Sequence, residues 1–146
     1  MKTAFLAKVA SFSDDGDATL LAFADDPLEP VNYVMLDLPN QPDEQELQLG
    51  LDGVHIDTGT LDVEGYDLVH DIRETDAGIV VSLTPDAAQK AGIGQDIEIE
   101  LESKIIDGIS IGEAVRRFKD RLSSLERAKA QAPNDDPGQP DSYDVA

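Results

Sequence analysis

Apolar and polar positions alternate along most of the first hundred residues, then shift to a helical spacing toward the C-terminus. Thr3 to Phe12 alternates as a first strand, and Asp14-Asp15-Gly16-Asp17 turns the chain back into the apolar run Thr19 to Ala24. Asp-Gly between two apolar runs is a strong hairpin signal, because both residues tolerate the backbone of a tight turn. A second apolar run, Asn32 to Leu38, follows the acidic connection Asp25 to Asn32. Pro27 and Pro30 in that connection have no N–H to give a ladder, so they mark the gap between strands. Pro39 to Glu46 reads as an exposed polar loop. Leu47 to Asp57 then gives a short strand, a turn at Asp52-Gly53 and a second strand from Val54 to Asp57, broken by Thr58-Gly59-Thr60. Tyr66 to Arg73 alternates again, and Ile79 to Leu83 is a β-branched run after a turn at Asp76-Ala77-Gly78.

Helical signals come next. Thr84, Pro85 and Gly92 stand in the order of a capping residue, a first-turn proline and a terminal glycine, which predicts a short helix. Gln95 to Leu101 is a strand with Ile97, Ile99 and Leu101 on one side and Asp96, Glu98 and Glu100 on the other. From Ser110 to about Ala130, the residues Ile111, Ala114, Val115, Phe118, Leu122 and Leu125 make one helical stripe. Ser110 and Glu113 have the spacing of a capping box at its start. The predicted fold class is therefore α+β: a mostly antiparallel sheet, one short helix, and a C-terminal amphipathic helix packed on the sheet. Residues 1–131 are expected to form one domain. Residues 132–146, acidic and proline-rich with no periodicity, are expected to be a disordered tail.

Charge narrows the partner. The 146 residues hold 31 acids against 11 bases, a net charge of −20. Up to residue 115 the bases are Lys2, Lys8, Arg73, Lys90 and Lys104, and the remainder sit between Arg116 and Lys129. An anionic body with a basic late helix repels nucleic acid and anionic membranes, because phosphate binding requires Lys or Arg to displace counterions. It attracts a basic protein instead and speeds their encounter. The bases Arg116, Arg117, Lys119 and Arg121 lie off the apolar stripe, where they are expected to neutralise acids of the body. Aromatics are only 5% of the chain, so the core is aliphatic. Cysteine is absent, which removes disulfides, thiolate metal sites and cysteine nucleophiles. The N-terminal apolar stretch is broken by Lys8 and alternates as a strand, so it does not read as a signal peptide, and a cytoplasmic setting is expected.

No pattern of reacting groups emerges. The acidic turn Asp14 to Asp17 lacks the twelve-residue loop and terminal Glu of a calcium hand. His55 and Asp57 would share a strand face, as an acid–base or metal pair requires, but no third ligand is identifiable and a solvated strand histidine is far commoner. There is no Gly-x-Ser-x-Gly elbow, and Gly92-Ile93-Gly94 lacks the lysine and helix of a phosphate loop. The expectation is a protein that is not an enzyme, with no catalytic residues, cofactor or metal.

Phe23-Ala24-Asp25, Pro30, Asn32-Tyr33 and the run Val34 to Leu36 resemble the opening motif of the immunity protein 10 family. Gly50-Leu51-Asp52-Gly53-Val54-His55-Ile56-Asp57 resembles its later Gly-x-Asp-Gly segment, and the order of later elements is similar as far as Leu122. Asp37-Leu38 and Thr58-Gly59-Thr60 stand where the family pattern suggests a Gln-Arg pair and an acid-x-x-Gln element. The resemblance implies an antitoxin that binds and blocks a cognate bacterial toxin domain, one expected to carry a basic surface. On that reading the contact surface falls on the two exposed loops and the start of the strand between them. Its expected residues are Asp25, Asp26, Glu29, Asn32, Tyr33, Asp43, Glu44 and Glu46. The rival reading is an acidic binding module, such as a DNA mimic or a regulator of a basic host protein.

Overall fold

The computed structural model describes residues 3–39 and 53–131. In chain order the strands are β1 (Thr3–Ala7), β2 (Val9–Asp14), β3 (Ala18–Ala24), β4 (Tyr33–Pro39), β5 (His55–Thr58), β6 (Glu64–Tyr66), β7 (Val69–Glu74) and β8 (Gly78–Leu83). Helix α1 (Pro85–Ala91), β9 (Asp96–Leu101), β10 (Ile105–Ile106), β11 (Ile109–Ser110) and helix α2 (Ile111–Gln131) complete the set. The α+β class stands, but the strands divide between two sheets. One is a five-stranded antiparallel meander, β2-β3-β4-β5-β6, and the other is four-stranded in the order β1-β9-β8-β7. Among the described residues, only β1 runs parallel to its neighbour, β9.

Two expected strands are each broken where the chain changes sheet. Thr3 to Phe12 divides at Lys8: Ala7 pairs with Leu101 in one sheet, and the Lys8 N–H donates to the Ala24 carbonyl (2.9 Å) in the other. Tyr66 to Arg73 divides at Asp67, which takes the left-handed conformation (φ 60°) and donates its N–H to the Val54 carbonyl. Apolar–polar alternation carries straight through both breaks, so the pattern alone does not reveal them.

Strand β8 is buried along its whole length. Ile79, Val81 and Leu83 face the core. On the other side Ser82 donates to Asp96 (2.6 Å) and accepts from Arg73 (2.9 Å), which satisfies its hydroxyl. Helix α1 starts as expected: the Thr84 hydroxyl accepts the Ala87 N–H, Pro85 opens the first turn, and the N–H of Gly92 closes back on Ala88 and Gln89.

Helix α2 contacts both β3 and β7, one strand from each sheet, and so seals the core between them. Ile111, Ala114, Val115, Phe118 and Leu125 are all buried there. Half of the capping box forms. The Ser110 hydroxyl accepts the Glu113 N–H (3.1 Å), but the Glu113 carboxylate turns to Arg116 and Arg117, which hold its pKa down to about 2. The late bases therefore divide their work. Arg116 and Arg117 pair within the helix, whereas Lys119 reaches Asp71 of β7 (3.2 Å) and Arg121 reaches Asp14 of β2 (2.9 Å). Among the described residues, an ion pair thus ties each sheet to the helix.

A further hairpin, β10–β11, precedes the last helix. Asp107 (φ 48°) and Gly108 (φ 87°) form a two-residue turn with both residues left-handed, the conformation that Asp-Gly suits. The Asp107 carboxylate accepts the Phe12 N–H (2.9 Å), fixing the hairpin against the edge of β2.

Candidate partner-binding face

Residues 25–32, between β3 and β4, form a loop shaped by two carboxylates. Asp26 accepts the N–H groups of Leu28 (2.8 Å) and Glu29 (3.0 Å), the geometry of an Asx turn. Asp25 accepts the N–H groups of Val31 (3.0 Å) and Asn32 (3.1 Å) and the Asn32 side-chain amide (3.2 Å). Pro27 and Pro30 have no N–H, so these two acids accept every backbone donor from residue 27 to residue 32. The loop is also anchored sideways. Asn32 accepts the Thr60 hydroxyl (2.9 Å), and the Thr60 N–H donates to the Val31 carbonyl (3.3 Å), which joins the loop to the turn between β5 and β6.

Both acids titrate below the ordinary carboxylate value of 3.8. At Asp25, desolvation pushes the pKa up, but the hydrogen bonds from Asn32 and Val31 outweigh it. At Asp26 the N–H groups of Glu29 and Leu28 dominate. A carboxylate with a depressed folded pKa contributes stability that is complete above its unfolded value and vanishes as pH falls through the folded one. The loop is therefore expected to hold its shape down to about pH 4 and to loosen only below it. Amide exchange at Leu28, Glu29, Val31 and Asn32, followed by NMR against pH, checks this. Loosening already near about pH 6 would contradict it.

With their carboxylates committed, the acids leave other side chains to face outward. Leu28 is 87% exposed and Val31 58% exposed, alongside the exposed Glu29. The loop borders the outer face of the five-stranded sheet, the side turned away from α2. Here Val9, Ala24 and Tyr33 form one cross-strand row, and Ser11, Ala22, Met35 and Asp57 form the next. An open cleft of about 270 Å³ lies over this end, lined almost wholly by apolar groups of Val9, Ala22, Ala24, Pro30, Tyr33 and Met35. Met35 is 38% exposed, high for a methionine in a central strand. The third row is mixed, Ser13, Leu20, Asp37, His55 and Tyr66: Asp37 and His55 approach to 3.6 Å, and the His55 ring lies 4.9 Å from that of Tyr66. His55 and Asp57 do share this face, but the carboxylate set beside His55 is that of Asp37. None of β2 to β6 contains a lysine or arginine.

The expected contact residues thus fall into groups. Glu29 is exposed and Tyr33 half-buried on the open face. Asp25, Asp26 and Asn32 hold the loop together, and Asp43, Glu44 and Glu46 lie outside the described residues. Sequence reasoning does not single out Leu28, Val31 and Met35, which stand exposed on the same loop and strand. Their signal was legible: two large aliphatic residues set among prolines and acids, in a connection too short to bury them.

A family model, immunity protein 10, matches residues 6–107, well over half of the chain. The chain belongs to the immunity protein 10 family. A search of curated proteins finds no match to it. The immunity protein 10 match takes in all of the five-stranded sheet, the loop at its rim and helix α1, and it ends before α2. Membership makes the chain an immunity protein. Among the described residues no group of three acidic or histidine side chains is placed to hold a metal ion. No helix of the described residues is long and apolar enough to cross a membrane.

Proposed function

We propose that this chain is an antitoxin that binds a cognate bacterial toxin domain in the producing cell's cytoplasm and neutralises it by stoichiometric contact, with no turnover of its own. Family membership carries the proposal. The charge supports it: a body of net charge −20 draws in a basic toxin surface and accelerates association. The pairing of the α2 bases supports it as well, since Arg116, Arg117, Lys119 and Arg121 are engaged with acids of this same chain. The contact is taken to include the loop at residues 25–32, with Glu29 and Tyr33 outward, and the acids Asp43, Glu44 and Glu46.

The test is co-expression with the toxin domain encoded by the neighbouring gene, scored as survival, together with calorimetry on the purified pair. Protection with a 1:1 complex is expected. Failure to protect, or equal binding to unrelated basic proteins with a steep loss in salt, would overturn the proposal; the second result would favour a DNA mimic.

A further inference from the structure

Resting on the antitoxin reading, we infer that the partner is gripped by an apolar platform, made by Leu28 and Val31 on the loop and by Tyr33 and Met35 beside the cleft. Asp25 and Asp26 shape this platform and do not themselves make the grip. Of the five most exposed large hydrophobic residues among the described ones, Leu28 and Val31 lie on the loop whose Pro30 borders the cleft and Met35 lines the cleft itself, while Leu6 and Ile105 lie on other elements. Exposed apolar groups clustered beside a concave apolar surface mark a protein-contact site, whereas scattered ones are ordinary. The two Asp turns fix the loop before any partner arrives, which lowers the ordering cost of binding.

The occupant is a basic protein surface with a protruding apolar or aromatic side chain that fills the cleft of about 270 Å³. Charge selects it. Asp37, Asp57 and Glu64 lie on this face and the five strands carry no lysine or arginine, Lys8 beside Asp26 being a base at the rim, so bases around the inserted side chain meet a face with an excess of acids. A second copy of this chain would bring acid against acid. Residues 40–52 and 132–146 are unsuited for the same reason, since both carry several acids and no base.

The experiment measures affinity for the neighbouring gene's toxin domain with Leu28→Asp, Met35→Arg and Glu100→Lys, the last on the outer side of the four-stranded sheet. Leu28 and Met35 already face solvent, so circular dichroism and melting temperature should stay near those of the parent chain. Leu28→Asp and Met35→Arg are each expected to raise Kd by roughly 30-fold or more, as for central contact residues, with Glu100→Lys within about threefold of the parent. Unchanged affinity in both platform variants would overturn the inference while leaving the antitoxin reading intact. A parent chain that neither binds nor protects would instead remove the antitoxin reading, and the platform's partner with it. A parent dimer that Met35→Arg splits in sedimentation would assign the platform to self-association and overturn it too.

Discussion

Phe118→Ala is expected to lower the free energy of unfolding by about 3–5 kcal/mol, the range for removing a fully buried aromatic side chain. Phe118 is completely buried on α2 and is the largest such residue of that helix. The helix bears on both β3 and β7, so its central residue sits where the two sheets share one core. Truncation there costs the transfer of the ring and leaves a cavity that neither sheet can close alone, because each is held by its own ladder. Domains of this kind are stable by only about 5–15 kcal/mol, so the loss takes a large fraction of the total. Urea unfolding should show a lower midpoint with an unchanged slope. A loss under about 1 kcal/mol would mean that α2 is an accessory to the fold, not its keystone. The immunity protein 10 match ends at residue 107, before this helix begins, which gives the measurement its point.

What could be read from the sequence was whatever local chemistry decides. Thr84-Pro85 and Gly92 bound a helix because their backbone preferences act within a few residues, and they did so in the structure. The stripe of α2 and the alternation of β9 were equally plain, since each depends on a period and not on a partner. The passage between sheets at Lys8 and Asp67 was not, because a strand's alternation is the same whichever sheet it joins. The third Asp-Gly pair, Asp107-Gly108, carries the same signal as Asp15-Gly16, but the strands it joins are only two residues each, too short for alternation to mark them.

At the candidate face, Asp25 and Asp26 have a role that their exposure in a loop does not announce: they accept the loop's own N–H groups. Short polar side chains compete for nearby backbone donors, and two prolines leave few such donors to share. A negative surface and an acid's role in recognition are therefore separate matters. The oxygens at this loop build its shape, whatever the charge of the whole body does for a partner.

Gly59→Ala is expected to disturb the same face from behind. Gly59 lies in the turn between β5 and β6, and a Cβ there would overlap the Val31 carbonyl and stand 3.0 Å from two ring carbons of Tyr33. The carbonyl cannot swing aside cheaply, since it accepts the Thr60 N–H while Asp25 holds the Val31 N–H on the other side of the residue. Tyr33 is similarly confined, because its backbone pairs with Ala24. The added methyl must lift the loop from the turn, at a cost of about 1–3 kcal/mol or somewhat more. Amide shifts across residues 25–33 would report the movement. Because Val31 and Tyr33 belong to the proposed platform, affinity for the toxin domain should fall by about 10-fold or more even at temperatures where the variant remains folded. An alanine variant with parental stability and unmoved amides would show that the loop does not rest on this turn. One that moves the loop yet binds as the parent does would separate the loop's geometry from recognition.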